Sequence, residues 1–482
     1  MNVLLLLLTF IVSVHSIIVD EPDLLWPNNP ISYGIDLDLF DSGAEPAIKR
    51  ALQLWEDSTC LKFTSIAVND PELTFFKDES CNSLIGRIIK EGQFVTLTDH
   101  CAKDIGQIAH EIGHFLGLYH TQSRQDRDEY VDIYWENIDP KFKENFEEPK
   151  TSVVELKSYD FGSLMHSSST SRLKTVLKGT EEKTISPKDS RYMQTFGYKS
   201  GVAFSDAKEI NNAYCKDICP TKLPCERGGY TDPKDCSKCR CPDGFSGTHC
   251  EYVDDSTSAD CGLPNWRAVS DTQTISMSGI GTCFYLVKVD KDNETIIAEL
   301  EQSSFKGDGE GTCQDSYVEV KFSKDKSVAG PRLCQELNRL PLVHRNDSSD
   351  EILIIYRSNS ADTKFSINFA TEPLKHVPTT ISSSSSVRTS PMLHTVTSPS
   401  TTTSSAPVNI DCGEKYGEWT SCTQECGGCG KKMRKSLSDP LRTEEEVCNL
   451  KPCKRRKGQE ECCNGLVAQL NQATKQMECT QA

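Results

Sequence analysis

Residues 108–131 read IAHEIGHFLGLYHTQSRQDRDEYV, and the spacing of the histidines in this stretch decides how the surrounding chain must fold. From Lys103 to Leu118 apolar residues recur at Ile105, Ile108, Ala109, Ile112, Phe115 and Leu116, close to a 3.6-residue period, which predicts an amphipathic, buried helix. His110 and His114 then project from one face a turn apart and can reach one ion, with Glu111 at the edge of the same site. Gly117 tolerates backbone angles that end a helix and turn the chain sharply, so His120 can swing back as a third ligand.

Three neutral imidazoles suit a borderline-soft cation, and three protein ligands with an open position define a catalytic zinc site. Such a site lowers the pKa of water from about 15.7 to about 7, while a neighbouring carboxylate, here Glu111, accepts the proton and passes it to the leaving amine. His-Glu-x-x-His alone recurs on many helices. The extended His-Glu-x-x-His-x-x-Gly-x-x-His spelled by residues 110–120 is rarer and belongs to metzincins, and SYDFGSLMHSSS at 158–169 supplies Met165 for the Met-turn that such a fold needs beneath the metal.

The whole chain sets further bounds. Its 482 residues exceed one hydrophobic core, so several domains are expected. Residues 1–16, MNVLLLLLTFIVSVHS, have the length and small-residue ending of a secretory signal peptide cut after Ser16, and no later run is long and apolar enough for a membrane span. The 23 cysteines imply an oxidising, extracellular setting, and their odd number leaves at least one thiol free or shared with another chain. A formal charge of −17 argues against nucleic-acid binding.

Cysteine spacing divides the chain. Residues 17–214 hold only Cys60, Cys81 and Cys101 before Cys215, so this part must build a large core. Six cysteines then crowd between Cys219 and Cys250, where a short segment needs bridges to hold it together. Residues 261–371 carry two similarly spaced pairs, Cys261 with Cys283 and Cys313 with Cys334, among strand-like runs such as SYVEVKF and EILIIYR that read as a β-sandwich. Asn293 and Asn346 begin glycosylation sequons there. Residues 376–408 are dominated by Ser, Thr and Pro and read as a disordered, O-glycosylated linker. The remainder, 411–482, is again rich in cysteine.

With these residues in hand, the chain resembles the astacin family of zinc metalloendopeptidases. The segments LWPNNPISYGID, SRQDRDEYVDIYWENI, SYDFGSLMH, TISPKDSRYMQTFG and FSDAKEINNAYC resemble that family's landmarks, over about residues 24–215. The resemblance implies an α+β metzincin domain at 17–215 holding one zinc ion on His110, His114 and His120, with Glu111 as general base and acid and disulfides Cys60–Cys215 and Cys81–Cys101. Residues 215–251 resemble an EGF-like module, which implies pairs Cys219–Cys236, Cys225–Cys239 and Cys241–Cys250, and 261–371 resemble a CUB domain. Residues 411–454 resemble a thrombospondin type-1 repeat in which Trp419 packs on basic side chains, followed by a cysteine-containing tail at 455–482. This order of modules is similar to that of nematode astacins that act on cuticle or eggshell.

Several positions depart from the family pattern. Ser167 stands where the family has a tyrosine that can ligate zinc and bond the oxyanion, and losing such a donor costs about 100- to 1000-fold in turnover. Beside it, His166 reads as an orienting and packing residue. Thr121 follows the third histidine where Glu is usual, Ser316 stands where calcium-binding CUB domains place Asp, and no basic processing site lies between Ser16 and Trp26, so either family-type latency is lacking or this sequence omits an upstream exon. The basic run Lys454, Arg455, Arg456 and Lys457 reads as a matrix or glycosaminoglycan contact, or as a solvated loop. Together these features predict a secreted zinc endopeptidase acting on extracellular matrix or cuticle protein. The alternative is a catalytically weak, astacin-like binding protein acting through its accessory modules.

Overall fold

The structure, a computed structural model, describes residues 18–66, 71–150, 153–154, 158–177, 179–180, 182–290, 294–305, 311–347 and 349–373. Further on it describes only the strand segments 430–435, 443–448, 453–454, 460–461, 467–470 and 477–480. Residues 1–16, read above as a signal peptide, residues 376–408, read as a linker, and Asn293, Trp419, Arg455, Arg456 and Lys457 lie outside the described residues. Two units divide the chain, 1–380 and 381–482.

In the first unit the chain runs through β1 (Ile18–Val19), β2 (Ile31–Ile35), α1 (Leu37–Asp41), α2 (Glu45–Ser58), β3 (Phe63–Ser65), β4 (Leu73–Lys77), β5 (Asn82–Ser83), β6 (Gln93–Leu97) and α3 (Ile105–Phe115). The sheet has the order β3-β2-β4-β6-β5, parallel except for the edge strand β5. Helix α2 buries Ile48, Ala51, Leu52 and Trp55, spaced as one face of a helix, and starts with a proline in its first turn. The Trp55 indole donates to the Ala109 carbonyl at 2.9 Å, tying α2 to α3 in a core shared with Leu73, Phe75, Val95 and Leu97. Helix α3 is shorter than the apolar period, because Asp104 caps its start by accepting from the Gln107 N–H and Gly117, at φ +106°, turns the chain away.

The chain continues through β7 (Val131–Ile133), β8 (Val153–Val154), β9 (Ile185–Pro187) and α4 (Phe204–Tyr214). A second core joins Val131, Ile138, Phe146, Tyr159, Phe161, Ile185 and Phe196. Strand β1 pairs with β8, and the Val19 N–H donates to Gly117 O at 3.1 Å, so residues 18–19 are sewn to the turn that ends α3. Disulfides Cys60–Cys215 and Cys81–Cys101 close this region, the first across 155 residues.

Two short hairpins follow, β10 (Tyr230–Thr231) with β11 (Cys239–Arg240) and β12 (Phe245–Ser246) with β13 (Tyr252–Val253), held by Cys219–Cys236, Cys225–Cys239 and Cys241–Cys250. Next comes a β-sandwich of β14 (Asn265–Arg267), β15 (Gln273–Ser278), β16 (Gly281–Lys288), β17 (Glu294–Ser304), β18 (Tyr317–Lys321), β19 (Arg332–Leu333), β20 (Leu337–Val343), β21 (Glu351–Ser358) and β22 (Lys364–Pro373). Its sheets, β14-β16-β21-β18-β19 and β15-β22-β17-β20, share one core and carry Cys261–Cys283 and Cys313–Cys334. The apolar runs of β16 and β21 do not alternate with polar residues because both faces are covered. Phe284, Leu286, Leu353 and Ile355 on the outer face pack with Phe245 of the disulfide-linked hairpins. Asn346 is exposed.

The second unit is described as three antiparallel pairs, β23 (Gly430–Lys435) with β24 (Thr443–Cys448), β25 (Cys453–Lys454) with β26 (Glu460–Glu461), and β27 (Val467–Leu470) with β28 (Met477–Thr480).

Candidate metal centre

Helix α3 presents His110 and His114 from its last two turns, and the turn at Gly117 returns His120 to face them. One ring nitrogen of each lies within 4.8 Å of the others, with His114 Nε2 and His120 Nε2 at 3.2 Å. The hydrogen bonds of the other nitrogens set the tautomers. His110 Nδ1 lies 2.9 Å from Leu164 O and His114 Nδ1 2.7 Å from Leu118 O, so each Nδ1 carries the proton and each Nε2 offers a lone pair to the shared space. Burial drives all three imidazoles below their ordinary pKa, His114 to about 4, so the ligands are neutral near pH 7. Three convergent neutral nitrogens without a carboxylate fit zinc.

Glu111 sits beside this cluster, 2 % exposed, and Gln107 Nε2 donates to its Oε1 at 2.7 Å. Burial pushes the carboxyl up to about 7, while the Gln107 hydrogen bond acts in the opposite direction. Gln107 is four residues before Glu111, one turn away on the same face, a relation the sequence could have revealed.

The Met-turn underlies the ligands. Met165 is fully buried, and its carbonyl accepts from the Thr121 N–H at 3.1 Å, joining the turn to the third histidine's neighbour. Thr121 does more in place of the family's Glu: its hydroxyl donates to Ser163 Oγ at 2.9 Å, which donates to Asp206 Oδ1 at 2.6 Å. Asp206, at the start of α4, also accepts from the Leu164 N–H at 2.8 Å. A buried relay of hydroxyls therefore runs from the residue after His120 to α4. His166 is fully buried, its Nε2 accepting from the Tyr159 hydroxyl at 2.8 Å and its ring among Phe161 and Phe196, which makes it a packing and orienting residue.

Ser167 lines the cleft, but Gln122 holds it from two sides. The Ser167 N–H donates to Gln122 Oε1 at 3.0 Å, and Gln122 Nε2 donates to Ser167 Oγ at 2.8 Å. Sequence reasoning missed Gln122, because nothing local relates residues 45 apart. It also missed Lys199, a partly buried residue lining the cleft, whose ammonium donates to Leu164 O at 2.6 Å and lies 3.0 Å from His110 Nδ1. Since Nδ1 carries a proton when Nε2 binds a metal, the Lys199 hydrogen bond is the one to Leu164. Burial lowers its pKa to about 8. The cleft that His110, His120 and Ser167 line encloses about 1300 Å³ and extends from Glu79 to Asp315, room for an extended peptide.

Comparison with known protein families matches residues 18–215 to Astacin, the astacin peptidase family. Among curated proteins, the zinc metalloproteinase nas-36 of Caenorhabditis elegans is 33% identical over 90% of this chain and 69% of its own length. The zinc metalloproteinase dpy-31 of the same species is 34% identical over 69% of this chain and 56% of its own. The solved high choriolytic enzyme 1 from Oryzias latipes, a hatching-enzyme zinc protease, aligns at 26% identity and TM-score 0.34 over 40% of this chain and 94% of its own. The chain belongs to the astacin family of zinc metalloproteinases, and zinc is its cofactor at His110, His114 and His120.

Proposed function

We propose that the protein is a secreted endopeptidase that hydrolyses peptide bonds of extracellular matrix or cuticle proteins, with Glu111 as general base. Residues 215–251, 261–371 and 411–454 act in this reading as EGF-like, CUB and thrombospondin type-1 modules that position the protease. The observation that carries it is the convergence of three neutral imidazoles, with the buried Glu111 carboxylate beside them, at a cleft that His110, His120 and Gln107 line and that is large enough for an extended chain. When bound, zinc supplies Lewis-acid polarisation of the scissile carbonyl and acidifies water. The residues of the chain supply the rest. Leu164 O and Leu118 O lock the tautomers of His110 and His114, so neither of these two ligands must shed a proton. Ionised Glu111 takes a proton from the attacking water at a carboxylate oxygen and returns it to the nitrogen of the leaving amine. Gln107 fixes the orientation of that carboxylate.

The experiment is direct. The full chain is expressed, zinc per chain is measured, and cleavage of an unstructured protein by wild type and Glu111→Gln is compared. One zinc per chain in both, with cleavage by the wild type alone, is expected. Equal background cleavage with zinc in place would refute the enzyme. One observation favours the second reading, a weak or inactive binding protein: the Ser167 hydroxyl is engaged by Gln122 where the family carries an oxyanion donor.

A further inference from the structure

The cleft has a wall that the protease region does not supply. Thr312, Gln314 and Asp315, from the loop leading into β18 of the sandwich, line it together with His110, His120 and Ser167. This loop is fastened strand-like along residues 194–200. The Cys313 N–H donates to Gln194 O at 2.8 Å and Thr312 Oγ1 to Phe196 O at 3.1 Å. Gln314 Nε2 donates to Gly197 O at 3.1 Å, and its Oε1 accepts from the Lys199 N–H at 2.8 Å.

A brace lies behind it. Across the Cys313–Cys334 disulfide, the Cys334 N–H donates to Gln194 Oε1 at 3.1 Å and the Arg332 N–H to Thr195 Oγ1 at 3.0 Å. Arg332 is buried, paired with Glu319 at 2.9 Å and laid over the Tyr198 ring at 4.4 Å. The Met-turn loop is held as well. Asp160 Oδ1 accepts from the Ala329 N–H at 3.0 Å, and a Cβ on Gly162 would meet the Ala329 methyl at 2.4 Å, so only glycine allows that approach. Buried, hydrogen-bonded contact on two segments that flank the metal ligands is not the geometry of a tethered module. Such contact fixes the sandwich as part of the cleft.

We propose that residues 312–315 form one wall of the substrate-binding cleft and that Asp315 selects substrates with a basic side chain at the subsite it faces. Asp315 is exposed, whereas Thr312 and Cys313 just before it are buried, so its carboxylate stands at the rim of an anchored strip. It is the acidic group that the sandwich brings to a cleft whose protease residues include the acids Glu79 and Asp104 and the cations Lys141, Arg172 and Lys199. A solvent-exposed pairing of this kind changes affinity several-fold and weakens with salt. The proposal deepens the endopeptidase reading and rests on it for the nature of the ligand.

The test uses the zinc-loaded full chain and fluorescent peptide hydroxamates, which bind a zinc site without turnover, carrying Lys or Glu at each position in turn. Wild type is expected to favour Lys over Glu at one position by roughly three- to tenfold, and Asp315→Lys to invert that ratio, with Asp315→Asn between them. The ratios should shrink towards one at about 0.5 M salt. A photoreactive group at the same position should attach to residues 312–315. An unchanged Lys/Glu ratio in Asp315→Lys at every position, or attachment confined to residues 79–200, would overturn the proposal. Hydroxamate binding that depends on Asp315 in a protein unable to cleave any substrate would remove the endopeptidase reading and leave the wall standing. Failure of the zinc-loaded wild type to bind any of these peptides would remove both.

Discussion

Replacing Gln107 with Leu keeps the bulk of the side chain and deletes the donor that Gln107 gives the Glu111 carboxylate at 2.7 Å. A hydrogen bond to a charged group is worth about 1.5–3 kcal/mol, and a pKa unit corresponds to about 1.4 kcal/mol, so the loss raises the Glu111 pKa by about one to two units. Gln107 itself lines the open cleft, where water can take its place, which favours the lower end. The sign is fixed by the role. In the proposed role Glu111 works as a base only when ionised, burial already raises its pKa, and removing Gln107 removes a lowering contribution. The acid limb of kcat/KM against pH therefore moves to higher pH by about one unit, and activity falls about tenfold well below the limb while remaining near wild type above it. The charge of zinc acts on both proteins alike and cancels in the comparison. The assay is hydrolysis of an uncharged fluorogenic peptide from about pH 5 to about pH 9 at saturating zinc, with zinc per chain measured alongside. An acid limb that stays put, or moves to lower pH, in a variant that binds zinc fully would refute the assignment of Gln107 as the partner of a catalytic base.

Removing the Cys60–Cys215 bridge by a double serine substitution frees a loop of 155 residues, for which chain entropy alone gives a loss of about 5 kcal/mol. Urea unfolding of the bridged and unbridged chains measures it, and a loss under about 1 kcal/mol would show that the entropy argument does not govern here. Ser167→Tyr keeps the backbone N–H that donates to Gln122 and leaves the Gln122 amide its bond to Asn145 O at 3.1 Å, so the fold should tolerate it. The added phenol at the cleft surface should raise kcat by about tenfold or more with little change in KM, and an active wild type unaffected by the tyrosine would end the account of Ser167 as a missing donor.

The metal site was legible because its determinants are local. The period of Ile105, Ile108, Ala109, Ile112 and Phe115 orients α3, and that orientation alone brings His110 and His114 to one face, while Gly117 needs only its own backbone freedom to return His120. The cores were legible in outline for the same reason, since strands such as Glu351–Ser358 declare themselves by composition. That β21 is covered on both faces was not, because the cover comes from Phe245, more than a hundred residues earlier. The departures show the same limit. Thr121 and Ser167 were visible as differences, but their consequences lie in partners distant in sequence. Thr121 reaches Asp206 through Ser163, and Ser167 is held by Gln122. A hydroxyl in place of a carboxylate at position 121 changes what the site is wired to without touching a ligand. The Leu164 carbonyl that orients His110 belongs to the same residue whose N–H binds Asp206, so α4 and the first ligand share one peptide segment. The order of the metal site therefore depends on α4, which the Cys60–Cys215 disulfide anchors at its far end to the chain just after α2.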